Sequence, residues 1–317
     1  MVTPHSLADA VTEWLDGYYS GSGRTRKSFA DVVEGRLLPF LESKGARLTT
    51  DVSPAMLTAF MRAEAERPRK TSRRDGDRGD RLSSATLEGY HSYLATFWNW
   101  SESMDYVART PMRSVKKPVQ VRPIREGFQR EEITRLLTWI SYKDDPVVAA
   151  RDRAILLLFL SSGCRAREIV ELKWKDIDWG NRRFKVFGKG SKERMARIGP
   201  KALPALKAWR EARKKWIPGE PRPSDPVWIT LRRTPMGYTT MWKMMRNLAD
   251  YAGVEGANLH RLRHTAASEM YEETTSLKAA QNFLGHSKPA TTDRYLRRIG
   301  TDLERMDYRT PDAWLAT

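Results

Sequence analysis

Apolar residues recur with helical spacing along most of the chain. Leu7, Ala10, Val11, Trp14 and Leu15 share one helix face, with Ser6 placed as N-cap. Gly21-Ser22-Gly23 stops that helix. A second is predicted from about Thr25, with Phe29, Val32, Val33, Leu37 and Phe40 on one side, and Pro39 is expected to kink or end it. Ser53-Pro54 opens a third, where proline suits the first helical position, and its apolar face includes Met56, Leu57 and Phe60. Residues 67–81 have no apolar period and read as a polar loop. Ser84 is read as the cap of a fourth helix with Glu88 in its first turn. Its Leu87, Tyr90, Leu94, Phe97, Trp98 and Trp100 are read as core rather than as base-stacking groups.

Residues 114–128 contain two prolines and several basic residues and have little periodicity, so they read as the boundary between two domains. Beyond them, Ile133, Leu136, Leu137 and Ile140 mark a helix, and Ala149 to Leu160 should be a buried one. Ser161-Ser162-Gly163 breaks it, and a helix restarts near Arg165. Residues 183–187 and 194–198 alternate like strands around a hairpin turn at Gly188-Lys189-Gly190-Ser191. Residues 201–216, 239–252, 261–273, 276–284 and 291–298 are predicted helices, with a proline-rich loop at Ile217–Pro226.

Composition narrows what such a chain can do. Its 317 residues carry 56 Lys and Arg against 39 Asp and Glu, a formal charge of +17. Residues 1–123 account for +4 of this and residues 124–317 for +13. Because the excess is spread through the second half, it predicts a folded basic surface and a polyanionic partner. No apolar run approaches the ~20 residues that cross a bilayer, and the start lacks a secretory leader pattern, so a cytoplasmic protein is expected. The single Cys164 excludes an intramolecular disulfide and a cysteine-based zinc site.

Five histidines are present, and three of them, His260, His264 and His286, lie close together in the second half. His260-Arg261-Leu262-Arg263-His264 puts two histidines and two arginines at the start of a predicted helix. His260 and Arg263 are three apart and can face one cleft. Neighbouring arginines would repel a metal cation, so these histidines are not read as ligands. Arginine forks match phosphate oxygens and histidine moves protons near neutral pH, which together suit phosphoryl transfer. Without magnesium-binding carboxylates, a covalent route would need a side-chain nucleophile such as Tyr, Ser or His.

These residues sit in blocks that resemble the tyrosine recombinase, or phage integrase, family. Ser162-Gly163-Cys164-Arg165-Ala166-Arg167-Glu168-Ile169 is similar to its T-G-x-R-x-x-E-L segment. Leu172-Lys173-Trp174-Lys175-Asp176-Ile177 continues it. Phe187 to Arg194 resembles the G-K-G-x-K-x-R hairpin, and Leu259 to His264 resembles H-x-L-R-H. Leu284-Gly285-His286-Ser287 resembles L-G-H-S, and Thr291-Thr292-Asp293-Arg294-Tyr295 resembles T-T-x-x-Y. The nine-residue step from His286 to Tyr295 is the family's. More weakly, Leu82 to Trp100 resembles the last helical segment of the family's core-binding domain.

The resemblance implies a mainly α protein: a helical core-binding domain over residues 1–113, a basic linker over 114–128, and an α+β catalytic domain with a small antiparallel sheet over 129–317. It implies that Tyr295 attacks a DNA phosphate to form a 3′-phosphotyrosyl link, without ATP or cofactor. Arg165 and Arg263 would clamp the phosphate, Lys189 would protonate the leaving 5′-oxygen, His260 would manage the tyrosine proton, and His286 would support the phosphate. Glu168 would act behind these residues or merely form a helix salt bridge, and His264 is expected to be structural. The partner would be a double-stranded recombination site, synapsed by four copies through a Holliday junction. Integration or excision of a mobile element is the first expected role, and Xer-type chromosome or plasmid dimer resolution the second. A type IB topoisomerase and a non-catalytic DNA-binding protein are the competing classes. The apolar residues Ala313-Trp314-Leu315 could dock on a neighbouring copy or on their own domain.

Overall fold

The structure is a computed structural model, described here for residues 3–18, 23–68, 81–119, 127–188 and 193–284. The chain divides into two compact units, Met1–Pro123 and Ile124–Thr317.

Among the described residues, the first unit is built of helices. Helix α1, Leu7–Glu13, begins where the Ser6 hydroxyl accepts from the Asp9 N–H, and it passes into a π-helical turn at Trp14–Tyr18. Helix α2, Gly23–Val32, runs through a second π turn at Val33–Leu37 into α3, Leu38–Ser43. Pro39 was expected to kink or end the helix. Instead it lies in the first turn of α3, where a missing N–H costs no intrahelical bond, and the wide π turn before it takes up the change of register. Helix α4, Pro54–Glu66, is capped by Ser53, whose hydroxyl accepts from the Met56 N–H.

Helix α5, Ser84–Ser103, is capped by Ser83, not by Ser84 as expected. Ser83 has the extended backbone a cap requires, and its Oγ accepts from the Thr86 N–H at 3.2 Å. Glu88 therefore falls beyond the first turn, and it pairs with Lys117 at 2.9 Å. The aromatics are core: Trp14, Phe97 and Trp98 are fully buried, and the Trp14 ring meets Phe29 and Phe97 edge-on. Truncating a side chain of this size to alanine costs roughly 3–5 kcal/mol. Most of residues 67–81 and the helix stop at Gly21-Ser22 lie outside the described residues.

The second unit is built on α7, Pro146–Ser162. Ala154 to Leu160 are all buried, so this helix is apolar all round, as a central helix must be. It is longer than predicted because Asp145 caps it, its carboxylate accepting from the Val147 and Val148 N–H groups. Around it pack α6, Arg130–Ser141; α9, Ala202–Arg213; and α11, Leu259–Thr274, which α12, Leu277–Leu284, joins; α10, Tyr238–Ala252, packs on α6.

The short α8, Ala166–Val170, precedes a three-stranded antiparallel sheet of β1, Ile177–Asp178; β2, Arg183–Phe187; and β3, Glu193–Arg197. The strand β1 was not anticipated, being only two residues long. In the register, Phe184 pairs with Ala196 and Val186 with Arg194. That face carries the buried Phe184, Val186 and Ala196, while Arg183, Phe187, Glu193, Met195 and Arg197 are exposed. The hairpin turn around Lys189 lies outside the described residues, as do helix 291–298 and the tail with Ala313-Trp314-Leu315. Among the described residues, no helix is long and apolar enough to cross a membrane.

Candidate active site

The site forms where the end of α7 meets α11 and α12. Helix α7 ends at Gly163, which adopts a left-handed conformation with φ +56°. A Cβ there would lie 2.6 Å from Phe283 Cε1 and 3.1 Å from Leu284 Cδ2. Two demands therefore converge on one position: positive φ, and room for the end of α12. Ser162 helps shape the turn. Its hydroxyl donates to Leu158 O at 2.6 Å and accepts from the Cys164 N–H at 3.3 Å. The chain then leaves α7 with Cys164 buried and Arg165 outward.

Arg263, one turn into α11, reaches back to this loop. Its Nη1 donates to Gly163 O at 2.5 Å and its Nη2 to Leu284 O at 3.0 Å. Two of its five N–H groups thus hold the ends of α7 and α12 together. Arg263 is 5% exposed, and its pKa falls to about 10, first because it is buried and next because the Arg165 guanidinium is nearby. The structure therefore brings Arg165 and Arg263 into one electrostatic neighbourhood from motifs nearly a hundred residues apart. Two like charges, one of them desolvated, make a standing demand for an anion.

Glu168 answers part of that demand. Its side chain is 3% exposed, with Oε2 accepting from the Arg165 N–H at 2.8 Å and Oε1 from Arg165 Nη1 at 3.1 Å. Oε2 also accepts from Arg194 Nη2 at 2.7 Å. Burial opposes ionisation of Glu168. The Arg194 guanidinium and then the Arg165 N–H outweigh burial and hold the carboxyl below its usual range. Glu168 therefore braces the arginines from behind, and the helix salt bridge considered for it is one part of a wider network. Arg194 joins this network, although its hairpin motif was read for Lys189 alone. The nearest signal was its place as the last basic residue of that motif.

The two arginines between His260 and His264 separate by role. Arg261 faces away from Arg263 and ties down the start of the second unit. It forms a two-pronged pair with Glu132 at 2.7 and 3.1 Å, donates to Gly127 O and Glu255 O, and lies 4.2 Å over the Phe128 ring. Phe128 N donates to Thr265 Oγ1 at 2.7 Å, and a Cβ on Gly127 would meet Thr265 at 3.2 Å. His260 is exposed at the start of α11. His264 is buried on the next turn, with Nδ1 3.3 Å from Ser268 Oγ. Burial, and then His260, push the His264 pKa down, so this ring is neutral near pH 7. Lys189, His286 and Tyr295 lie outside the described residues. Leu284, which Arg263 holds, precedes His286 by two positions.

Among the described residues, no group of three metal-ligating side chains converges. The arrangement offers an anion two neighbouring guanidiniums, one exposed and one buried, at the end of α7.

The pattern of the phage integrase family matches residues 127–299. Tyrosine recombinase XerC of Shewanella amazonensis is 30% identical over 215 residues, covering 68% of this chain and 70% of that protein. Tyrosine recombinase XerC of Chromohalobacter salexigens is 31% identical over 265 residues, covering 82% of this chain and 81% of that protein. Two solved structures share the fold. One is the XerH site-specific recombinase bound to palindromic difH substrate in a post-cleavage complex, with TM-score 0.70 and 20% identity over 91% of this chain and 80% of that one. The other is the Tn1549 transposon integrase in complex with a circular intermediate DNA, with TM-score 0.72 and 16% identity over 97% of each chain. This chain belongs to the phage integrase family and is a tyrosine recombinase.

Proposed function

We propose that this protein is a site-specific recombinase that breaks and rejoins double-stranded DNA through Tyr295. The observation that carries this reading is the pairing of exposed Arg165 with buried Arg263, held in place by Gly163 O, Leu284 O and Glu168. A phosphodiester placed there meets two guanidiniums whose forks match its non-bridging oxygens. Tyr295 Oη attacks phosphorus and the P–O5′ bond breaks. The DNA 3′-phosphate is now esterified to tyrosine, and Lys189 delivers a proton to the leaving 5′-oxygen. His260 takes up the tyrosine proton, and His286 adds a donor to the phosphate. The link conserves the energy of the broken bond, so the reverse attack by a 5′-hydroxyl reseals a strand without ATP. The two arginines supply the charge neutralisation on which phosphoryl transfer depends.

In this reading four copies synapse two sites and exchange strands through a Holliday junction, on DNA in the cytoplasm. The role proposed first is integration or excision of a mobile element. Chromosome or plasmid dimer resolution is the second reading, favoured by the XerC names of the relatives. The test is to incubate the protein with a library of nicked duplexes of randomised sequence and trap covalent adducts. A protein–DNA adduct in the wild type that vanishes in Tyr295→Phe is expected. An adduct that persists in Tyr295→Phe would overturn the nucleophile, and relaxation of any supercoiled plasmid without site preference would favour a topoisomerase. The sequences recovered in the adducts, compared with the junctions flanking the gene, separate a mobile-element role from resolution.

A further inference from the structure

Arg194 is the second residue of β3, on the buried face of the sheet and opposite Val186. Its side chain is 18% exposed. Nη2 donates to Glu168 Oε2 at 2.7 Å and contacts Cys164 Sγ at 3.3 Å. Its Nε is buried without a hydrogen-bond partner among the described residues. An unsatisfied buried donor is destabilising, and so is a guanidinium beside two others. An aliphatic residue facing Val186 would avoid both penalties.

The charges show what the arginine achieves. With Arg165 as its sole partner, Glu168 would form an ordinary ion pair three residues along the chain and cancel the charge a phosphate needs. Arg194 supplies a second cation, from β3. Its contact is shorter than that of Arg165 Nη1, at 2.7 against 3.1 Å, and its side chain is drier, at 18% against 44% exposed. In a less polar environment the closer and drier pair dominates. Two guanidiniums and one carboxylate leave a net positive charge, located on the more exposed partner, Arg165. Anchored in this way, Glu168 still holds the Arg165 N–H and fixes the turn from which that side chain projects.

We propose that Arg194 is a positioning residue for strand cleavage: it takes up the charge of Glu168 so that the Arg165 guanidinium remains available to the scissile phosphate. This inference rests on the recombinase reading given above. A lysine would supply the charge, but as a point donor that does not reach sulfur and carboxylate together.

The experiment measures single-turnover adduct formation at saturating protein, and DNA affinity separately, using the nicked duplexes recovered from the randomised library with the full chain. Arg194→Gln should slow adduct formation ~10–100-fold while affinity changes by less than about threefold. Adding Glu168→Gln to Arg194→Gln should recover about tenfold in rate, because the carboxylate left to neutralise Arg165 is gone. A purely structural role would not be rescued by a second substitution. Arg194→Lys, which retains the cation, should react faster than Arg194→Gln, and this comparison guards against loss of fold in the neutral variant. Arg194→Gln reacting at the wild-type rate, or Arg194→Lys as slow as Arg194→Gln, would overturn the inference while the recombinase reading stands. A double variant no faster than Arg194→Gln would do the same. No adduct from the wild type would overturn the recombinase reading and this inference with it.

Discussion

Arg263 donates to the carbonyl of Gly163 at 2.5 Å, so the residue proposed to grip phosphate also closes the end of the central helix. Gly163→Ala puts a Cβ 2.6 Å from Phe283 Cε1 at a φ of +56°. Strain and overpacking together should cost about 2–4 kcal/mol. Thermal melting should record this as a lowered Tm. Adduct formation should also fall, because the carbonyl that Arg263 holds must move. A variant as stable as the wild type would show that the loop relaxes without cost.

The clamp made by Arg261 should be a larger stability element than its exposed neighbours. Arg261→Ala removes the donor of the Gly127 carbonyl and both guanidinium contacts of Glu132, which keeps the Gln129 N–H. The pair is about 15% exposed on each side, so part of its strength is screened. A loss of about 1–3 kcal/mol is expected in urea unfolding of the full chain. A loss below about 0.5 kcal/mol would place this pair among ordinary surface ion pairs.

Glu269 gives a pH signature. Burial, followed by repulsion from Glu272 and Glu273, pushes its pKa up to about 8, from an ordinary value of 4.5. Between those values the folded chain holds a proton that the unfolded chain has released. Stability contributed by this group is therefore complete below the ordinary value and is lost as pH rises through about 8. Glu269→Gln cannot titrate. The stability of the wild type relative to this variant should fall as pH is raised from about 5 to about 8, and parallel profiles would contradict the assignment.

Lys189→Ala should slow cleavage strongly and leave DNA affinity nearly intact. A 5′-bridging phosphorothioate, whose sulfur leaves without a proton, should restore much of the rate. Equal loss of binding and cleavage would remove Lys189 from the acid role.

The net charge of +13 on residues 124–317 should make DNA binding strongly dependent on salt. With several phosphates contacted, affinity should drop ~10³-fold between ~50 and ~200 mM salt. A nearly flat dependence would show that the basic residues lie away from the duplex.

Much of this was legible in the sequence because helices announce a buried face. The apolar spacing of Ile133, Leu136, Leu137 and Ile140 marks α6 directly, and the unbroken run from Ala154 to Leu160 marks α7. Where neighbouring residues had equal chemistry, the pattern could not choose: Ser83 and Ser84 are both competent caps, and backbone geometry selects Ser83. Pro39 misled because its missing N–H matters only in a continuing α register, and the π turn before it is a tertiary adjustment without a local signal. In the site, motif blocks exposed Arg165, Glu168, His260 and Arg263. They did not show that Arg261 turns away to Glu132, nor that Arg194 crosses to Glu168. Those partners are 129 and 26 positions distant, and only packing brings them together.

The alternation of the hairpin bears on how it tolerates insertion and deletion. Residues added to the connection between β2 and β3 leave the pairing of Val186 with Arg194 unchanged. A single residue deleted within β3 after Arg194, with the rest of the strand held in register, would turn that arginine outward and bring the acidic Glu193 toward Glu168. The five positions of β3 therefore behave as a fixed reading frame, and a change of length at the tip, though it spares that pairing, would displace the proposed acid Lys189.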